Sequence, residues 1–450
     1  MGSLLLKNVR YLVSCDGDDR VYENVNVFIE GGWIRYIGAE VRPARDVVDA
    51  RDMVVYPGLV NTHHHLYQVL TRNLPQVQNL ELFDWLLALY EIWRKLDGDA
   101  LYWSNVAGMA ELLKNGCTTV FDHHYVFPEG AGDLIDIQFE AARSVGVRMV
   151  SSRGSMSLSR KNGGLPPDSV VQTEEHILKD SLRVIERFHD KEPGSMRQVV
   201  LAPCSPFSVS EALMRESALL ARSCGVRLHT HLCETIDEEN FVRQKTGMRP
   251  LEYMESLGWV GPDVWYAHGI HFNDAELRQL AATQTGVAHC PVSNMKLSSG
   301  VCRVPEMLKL GVPLGLAADG SASNDSSNLM AEMRVAYLLH RLTSGKEAPS
   351  AYDILKIATT GGAKVLGRTD IGHLAEGMAA DLFAIRQDRL ELAGAGFDPK
   401  GVLCTVGLNG GVDLAVVNGE VLVRNGRLCR QCEEDISREC NKAAGNMMRA

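Results

Sequence analysis

The chain has 450 residues, of which 45% are hydrophobic and 23% are charged, and its formal net charge is −10 at pH 7. This composition supports a large core, and the acidic balance argues against nucleic acid or an anionic membrane as the main partner. No apolar run approaches the ~20 residues that span a bilayer, and no small-residue cleavage site follows MGSLLLKNVRYLVS, so we expect neither a membrane anchor nor a signal peptide.

Eleven cysteines are scattered along the chain, and three of them, Cys117, Cys204 and Cys290, lie in apolar, strand-like runs. An odd number of cysteines in such positions indicates reduced thiols rather than a disulfide framework, so we expect a cytoplasmic protein. Cys429 and Cys432 form one CxxC motif without a second pair. We interpret that motif as part of a C-terminal loop rather than as a zinc knuckle.

Both ends of the chain carry short strand-like runs separated by turns such as Gly-Gly and Asp-Gly. Residues 1–56 contain SLLLKNVRYLVS and VYENVNVFIEGGWIRYIG, and residues 368–450 contain DLFAIR and GGVDLAVVNGEVLVRNGR. We predict that the two ends form one small β-sandwich, to which we assign a C-terminal helix of unknown role over ISRECNKAAGNMMRA.

Residues 57–367 follow a different pattern, in which apolar runs alternate with helical segments such as TEEHILKDSLRVIERFH and each run ends on a polar cluster. The clusters are NTHHH (61–65), FDHH (121–124), SSRGS (151–155), APCS (202–205), HTHLCE (229–234), AHGIH (267–271), HCPVSN (289–294) and ADGSASND (318–325). Eight such repeats predict an α/β fold, a (β/α)₈ TIM barrel whose strand ends meet at one catalytic mouth. The alternative, a doubly wound open sheet, requires a Gly-rich phosphate loop after its first strand, and PGLVNTHHH is not one.

Three consecutive histidines end the first run of the barrel, in PGLVNTHHHLYQ. Because side chains alternate along a strand, we expect His63 and His65 to share the inward face, while His64 points to the other side. Two histidines alone occur more often in a satisfied core or at the surface than in a metal site. Further residues of the same rim change this interpretation.

His231 ends the fifth predicted strand, His268 ends the sixth and Asp319 ends the eighth. In a barrel all of these side chains lie on one rim. Neutral imidazole nitrogens and a carboxylate make a site for a divalent first-row metal, with a position left for water.

These residues resemble the amidohydrolase superfamily over nearly the whole chain. The superfamily has an HxH motif after a first strand with Pro-Gly, a His on strands five and six, and an Asp on strand eight. His63 and His65, His231, His268 and Asp319 match that pattern. The resemblance also implies the flanking β-sandwich and a homo-oligomer.

The fourth predicted strand indicates which branch of the superfamily the chain resembles. Members with two metals bridge them by a carbamylated lysine there, and no lysine occurs between Lys191 and Lys245; Cys204 lies near that place. The HxxE from His231 to Glu234 is similar to the mononuclear deaminase branch. The unrelated cytidine-deaminase route is excluded, because no HxE followed by PCxxC occurs.

The resemblance implies one divalent metal ion per chain, with His63, His65, His231 and Asp319 as its ligands. Zn²⁺ is the expected ion, and Fe²⁺ or Mn²⁺ suits the same ligands. Asp319 would also accept a proton from the nucleophilic water, which His268 would orient.

Glu234 is expected to move that proton to a ring nitrogen and to the leaving ammonia. The alternative for Glu234 is a solvated glutamate at a helix start. We expect that solvated state for its neighbours Asp237, Glu238 and Glu239.

Longer segments, among them DHHYVFPEG, LAPCSPFSV and DGSASNDSSN, resemble deaminases that act on 8-oxoguanine. The implied reaction is hydrolytic deamination of an aminopurine, 8-oxoguanine and water giving urate and ammonia. Gln68, Tyr125, Arg153 and Cys204 are candidates for contacts with the base, and packing or loop hydrogen bonds are the alternative for the last three. We expect QVQNLELFDWL to form part of a lid, in which Trp85 either stacks on the purine or packs in the core.

Two other functions are open at this point. A barrel of this kind also suits a hydrolase of guanine, isoxanthopterin, isocytosine or an s-triazine. A non-catalytic scaffold is a different class, but scaffolds lose metal ligands and the expected ligands are all present here.

Overall fold

The computed structural model describes residues 2–449 and contains two β-sheets. One sheet has eight parallel strands whose order in space follows the chain. They are β1 (Leu59–Asn61), β2 (Cys117–Asp122), β3 (Arg148–Ser155), β4 (Arg197–Pro203), β5 (Arg227–Leu232), β6 (Val264–His268), β7 (Gly286–His289) and β8 (Leu314–Leu316). Each predicted polar cluster lies at or just beyond the C-terminal end of one of these strands.

Hydrogen bonds between the ends of β1 and β8 bring the two edges of this sheet together. The backbone N–H and the hydroxyl of Thr62 both donate to the carbonyl oxygen of Leu316, at 3.2 and 3.0 Å. The Asn61 side-chain oxygen accepts the N–H of Ala318 at 2.9 Å. The strands therefore form a nearly closed barrel, which confirms the predicted (β/α)₈ fold.

Helices cover the outside of the barrel and part of its rim. They are α1 (Leu82–Trp93), α2 (Gly98–Lys114), α3 (Leu134–Val145), α4 (Glu174–Phe188), α5 (Glu211–Cys224), α6 (Ile236–Thr246), α7 (Pro250–Ser256), α8 (Asp274–Thr283), α9 (Pro291–Lys296), α10 (Val304–Leu310), α11 (Ser321–Asn324), α12 (Leu329–Ser344), α13 (Ala351–Lys356), α14 (Gly362–Val365), α15 (Val402–Thr405) and α16 (Glu433–Arg449). Among them, α1, α9 and α11 lie at the rim. Asp97 and Thr173 cap α2 and α4 by accepting the N–H groups of Ala100 and His176.

The second sheet joins the two ends of the chain. Its strands are Ser3–Val13, Val21–Glu30, Trp33–Gly38, Asp46–Asp49, Met53–Pro57, Leu382–Arg386, Leu414–Val417, Glu420–Arg424 and Arg427–Leu428. Met53–Pro57 lies between an N-terminal and a C-terminal strand and pairs with both. Apolar side chains from both parts, such as Leu6, Val55 and Leu382, pack into one core, and the β-sandwich predicted from both termini is observed as one nine-stranded sheet.

An apolar layer inside the barrel lies next to the histidines. The rings of Phe121 and Trp265 meet edge to face at 5.0 Å, with Val150 and Val200 in the same cluster. His229 stacks on Trp265 at 4.5 Å. The imidazoles of the rim therefore lie against a dry, close-packed layer, where electrostatic interactions are strong.

The three histidines do not lie in a strand, which corrects the reason given for their orientation. β1 ends at Asn61, and the backbone of the histidines is instead held by neighbouring strands. The carbonyl of His63 accepts the N–H of Asp319 at 3.1 Å, and the carbonyl of His64 accepts the N–H of His123 at 2.7 Å. Sheet closure, rather than strand alternation, aims these side chains.

The C-terminal helix forms as predicted, and its largest contact is with α2 of the barrel, while its first residue, Glu433, accepts the N–H of Leu428 in the terminal sheet. Ile436, Cys440, Ala443 and Met447 are buried on one face of α16, in the cluster that contains the barrel helices. Their spacing of four, three and four residues gives one apolar stripe, which meets α2. In residues 2–449 no helix is both long and apolar enough to cross a membrane.

Candidate metal centre and active site

Two imidazoles on the rim have fixed tautomers. His65 Nδ1 lies 2.7 Å from the carbonyl oxygen of His123, and His231 Nδ1 lies 2.6 Å from that of Cys204. A carbonyl oxygen can only accept, so each Nδ1 carries the proton and each Nε2 presents a lone pair. These two Nε2 atoms lie 3.1 Å apart.

The tautomer of His63 is fixed by a chain of two hydrogen bonds. His229 Nδ1 donates to the carbonyl oxygen of Trp265 at 2.9 Å, so its Nε2 accepts the proton of His63 Nδ1 at 2.8 Å. His63 Nε2 is consequently unprotonated. It is buried, and no hydrogen-bond partner for it occurs within residues 2–449.

Asp319 faces these nitrogens. Its Oδ1 lies 3.3 Å from His63 Nε2 and 3.4 Å from His65 Nε2. Its backbone has φ +60°, a conformation that is uncommon outside glycine and is concentrated at functional sites. The N–H of Gly320 donates to the same carboxylate at 2.6 Å and helps to hold it in place.

The protonation states of this group suit a metal ion. Burial lowers the pKa of His63, His65 and His231, so all three imidazoles stay neutral. Burial alone would raise the pKa of Asp319, but the proton and positive charge that the neighbouring imidazoles carry when protonated, His63 first and then His268 and His65, lower it well below its ordinary value. Unprotonated nitrogens and a carboxylate repel one another at close range, whereas a divalent cation binds to all of them.

His268 and Glu234 lie beside that group. His268 Nδ1 donates to Asn294 Oδ1 at 2.9 Å, and its Nε2 lies 3.5 Å from Glu234 Oε2 and 4.0 Å from Asp319 Oδ2. Burial lowers the pKa of His268, but the two carboxylates raise it further, and the net shift is upward. Burial raises the pKa of Glu234 to about 7, which is suitable for a group that both accepts and donates a proton near neutral pH.

Glu238 is buried, which corrects the expectation that it is solvated. Its two carboxylate oxygens accept the N–H groups of Cys233 and Glu234, each at 2.9 Å, and so hold the turn that carries Glu234. Cys233 in this turn has φ +54°. A sequence signal was present, because Thr235 and Glu238 form a T-x-x-E pattern that turns a glutamate back toward the helix start.

A buried pocket is lined by three of the four proposed ligands, His65, His231 and Asp319, together with Glu234 and His268. Its wall contains Gln68, Tyr125 and Cys204, and α1 contributes Leu82, Trp85 and Leu86. The structure thus brings the segment predicted as a lid to the mouth of the site. Gln68 Oε1 accepts the N–H of Ala322 at 3.3 Å, whereas Gln68 Nε2 and Trp85 Nε1 have no partner among the described residues.

Arg153 does not line this pocket, which corrects the expectation of a substrate contact. Its guanidinium pairs with Asp180 at 2.6 Å, donates to Gln172 Oε1 at 2.7 Å and lies 3.8 Å over the ring of Phe127. Although it lies on β3, its charge is neutralised on the outside of the barrel.

The remaining histidines of the rim support the wall. His64 Nε2 contacts the hydroxyl of Ser327 at 3.0 Å, as expected for the imidazole that points away from its neighbours. His123 Nε2 donates to the carbonyl oxygen of Ala202 at 2.8 Å, and His271 Nε2 donates to that of Ser299 at 3.0 Å.

Residues 54–422 match the family model described as "Amidohydrolase family". The chain is 48% identical over 377 residues to 8-oxoguanine deaminase of Pseudomonas aeruginosa, with 83% of this chain and 84% of that protein covered. It is 40% identical to hydroxydechloroatrazine ethylaminohydrolase of Pseudomonas sp. strain ADP, with 97% and 94% covered.

A solved structure shows the same similarity in three dimensions. Atrazine chlorohydrolase TrzN from Arthrobacter aurescens TC1, complexed with zinc, superimposes on this chain with a TM-score of 0.94 at 32% identity. The match covers 98% of this chain and 100% of that one, so it includes the terminal sheet as well as the barrel.

Proposed function

The chain belongs to the amidohydrolase family, and from that premise we propose that it catalyses the hydrolytic deamination of an aminopurine, 8-oxoguanine and water giving urate and ammonia. The observation that carries the proposal is the site itself. A glutamate with a pKa of about 7 lies beside unprotonated imidazoles and an ionised aspartate in a buried pocket. The similarity to the Pseudomonas aeruginosa deaminase supports the choice of substrate.

We assign His63, His65, His231 and Asp319 as ligands of one divalent ion, with zinc as the expected metal. Fe²⁺ and Mn²⁺ accept the same donors. When bound, the ion lowers the pKa of a coordinated water from 15.7 toward about 7 and so supplies a nucleophile at neutral pH.

The acidic residues divide the proton transfers. Asp319, which is ionised, accepts a proton from the attacking water. Glu234 gives its proton to the ring nitrogen beside C2, then takes the remaining proton of the added hydroxyl group and passes it to the amine. The proton held by Asp319 finally returns to Glu234, so both carboxyl groups regain their starting states. The water oxygen forms a bond to C2, the bond from C2 to the amine nitrogen breaks, and the amine leaves as ammonia.

His268 orients the reacting oxygen. Asn294 holds its Nδ1–H, so the other ring nitrogen points toward Glu234 and Asp319. The raised pKa of His268 favours a proton on Nε2, which donates a hydrogen bond to the oxygen that develops negative charge during attack.

The pocket wall selects a planar ring with polar edges. Gln68 Nε2 and the indole N–H of Trp85 are buried donors without a protein partner, and each suits a carbonyl oxygen of the base. Tyr125 and Cys204 line the same pocket and are further candidates for contacts. Leu82 and Leu86 supply apolar surface for the ring faces.

A second candidate is hydrolysis of an s-triazine. It is supported by the 40% identity to the ethylaminohydrolase over 97% of this chain and by the likeness to the zinc-bound triazine enzyme. The chemistry is the same attack on a carbon between two ring nitrogens, with an alkylamine or chloride as the leaving group.

A panel of substrates tests the proposal. Zinc-loaded protein is incubated with 8-oxoguanine, guanine, isoxanthopterin, isocytosine and hydroxytriazines, and released ammonia or alkylamine is measured. We expect the highest kcat/KM with 8-oxoguanine. Release of ethylamine from triazines alone would favour the second candidate, and release from none of the substrates would overturn both.

We also propose a cytoplasmic homo-oligomer. The eleven free thiols support a reducing compartment. Light scattering after gel filtration, with and without reductant, tests the assembly, and a monomer under both conditions would refute it.

A further inference from the structure

Glu332 is a buried carboxylate on α12 that the mechanism above does not use. Its side chain is 1% exposed. Oε1 accepts a hydrogen bond from Asn324 Nδ2 at 2.6 Å, and Oε2 accepts the backbone N–H of Val292 at 3.2 Å. The two donors belong to different segments of the rim.

The first donor leads to Asp319. Asn324 Nδ2 also donates to the carbonyl oxygen of Ala318 at 2.5 Å. Ala318 is the residue before Asp319. The peptide that Asn324 holds is therefore the one that enters the strained φ of +60° at Asp319. In addition, Ser323 Oγ lies 3.4 Å from Asp319 Oδ2.

The second donor leads to His268. Val292 lies in the first turn of α9, where a backbone N–H has no partner within the helix. The same short helix carries Asn294, whose Oδ1 accepts the Nδ1–H of His268 at 2.9 Å. Holding Val292 therefore fixes the segment that orients the His268 ring.

We propose that Glu332 is a positioning residue that fixes Asp319 and His268 relative to each other, by tying the segment after β8 to the segment after β7. This role rests on the proposed function, because the catalytic roles of Asp319 and His268 are those assigned under that proposal. Glu332 itself touches neither the reacting atoms nor the proposed ligands.

The cost of burying the Glu332 carboxyl group agrees with a role in positioning other residues. Burial raises the pKa of the Glu332 carboxyl to about 8, and the two donated hydrogen bonds oppose that rise only in part. Burying a polar carboxyl group costs folding free energy that an apolar side chain of similar size would not. A residue of this kind inside a core is expected where position matters more than stability.

Three variants test the proposal: Glu332→Ala, Glu332→Gln and the control Met333→Ala. Met333 is the next residue of α12 and is fully buried, so its truncation loosens the same helix without touching these hydrogen bonds. We expect Glu332→Ala to lower kcat by about 100-fold with KM nearly unchanged, because misplacement of about 1 Å costs that much. Glu332→Gln keeps one acceptor and should lose about 10-fold, whereas Met333→Ala should lower the melting temperature alone.

A second measurement does not depend on the reaction. Zinc affinity, measured by competition with a chelator, should fall about 10-fold in Glu332→Ala, since residues that orient a ligand affect affinity by that order. If the alanine variant does not fold, the glutamine variant decides by the same two measurements.

The measurements distinguish failure of the positioning role of Glu332 from failure of the proposed function. If wild-type protein releases no amine from any substrate, the proposed function fails and zinc affinity still tests Glu332. Equal kcat and equal zinc affinity in the Glu332 variants and Met333→Ala would overturn the positioning role.

Discussion

Two groups of buried polar side chains, one at each end of the barrel, differ in their hydrogen bonding. At the end next to the terminal sheet, Arg148 pairs with Asp381 through two hydrogen bonds of 2.9 and 3.0 Å. Arg148 also donates to the carbonyl oxygen of Gly194 at 2.7 Å, and Asp381 accepts the N–H of Asn418 at 2.8 Å. We call this group the floor pair, and its hydrogen-bonding capacity is satisfied within the fold.

The rim shows the opposite state. His63 Nε2, Gln68 Nε2 and Trp85 Nε1 are just as buried, yet in residues 2–449 they have no hydrogen-bond partner. An unpaired buried polar atom costs stability. The floor pair thus serves folding, whereas the rim leaves polar atoms unpaired, at a cost to folding, for the metal and the substrate that we propose.

The largest expected effect is on the chemistry at the rim. Glu234→Gln removes the group that moves the proton, and we expect kcat to fall by about 10³-fold, within the range of general acid–base catalysis. Ammonia release from 8-oxoguanine measures the change. Zinc content should stay at the wild-type level.

Asp237→Asn is the matched control for this variant, because Asp237 lies in the same acidic run but is exposed. Its kcat should equal that of the wild type. Similar losses in both variants would show that the acidic run acts through its charge and not through one residue.

A change in the floor pair should affect folding and not chemistry. Arg148→Met leaves Asp381 buried without its cation, and we expect the free energy of unfolding to fall by about 3 kcal/mol. Urea titration measures it. The double variant Arg148→Met with Asp381→Leu should recover most of the loss, and a fall in kcat of folded Arg148→Met would contradict the division between floor and rim.

The burial of Glu234 at the rim should make the free energy of unfolding depend on pH. The pKa of Glu234 is about 7 in the folded protein, against an ordinary value of 4.5. The folded protein therefore holds this proton more tightly than the unfolded chain, and ionisation of Glu234 destabilises the fold. Wild-type stability should therefore fall relative to Glu234→Gln as pH rises from about 4.5 to about 7, by about 2–3 kcal/mol in total. Metal-free protein in urea at several pH values tests this, and a constant difference across that window would refute it.

The smallest expected effect concerns the pocket wall. Gln68→Leu removes a buried donor, and we expect kcat/KM for 8-oxoguanine to fall by about 10-fold, while metal-free stability changes by less than about 1 kcal/mol. Gln244→Leu, at an exposed position of α6, is the control and should match the wild type. A large loss of stability with unchanged kcat/KM would place Gln68 with the floor rather than with the rim.

Much of this layout could be predicted from the sequence, because the strand ends of a barrel place polar residues directly after apolar runs. His231, His268 and Asp319 each follow such a run, so their meeting at one rim is a property of the topology. The terminal sheet was also predictable from its short strands and turns.

Other features depend on partners far away in the chain. Nothing near Arg153 indicates that its charge pairs with Asp180 outside the barrel. The apolar stripe of α16 predicts burial but does not identify the helix that it meets. The burial of Glu332 follows from donors on two other segments, which a local pattern does not contain.

The most direct measurement is zinc binding by equilibrium dialysis, on wild-type protein and on a variant that combines His63→Asn with His231→Asn. The wild type should bind about one zinc ion per chain and the variant almost none, since a site of this type needs its imidazole donors. Equal binding by both proteins would mean that the imidazoles and Asp319 at the rim do not form the metal centre.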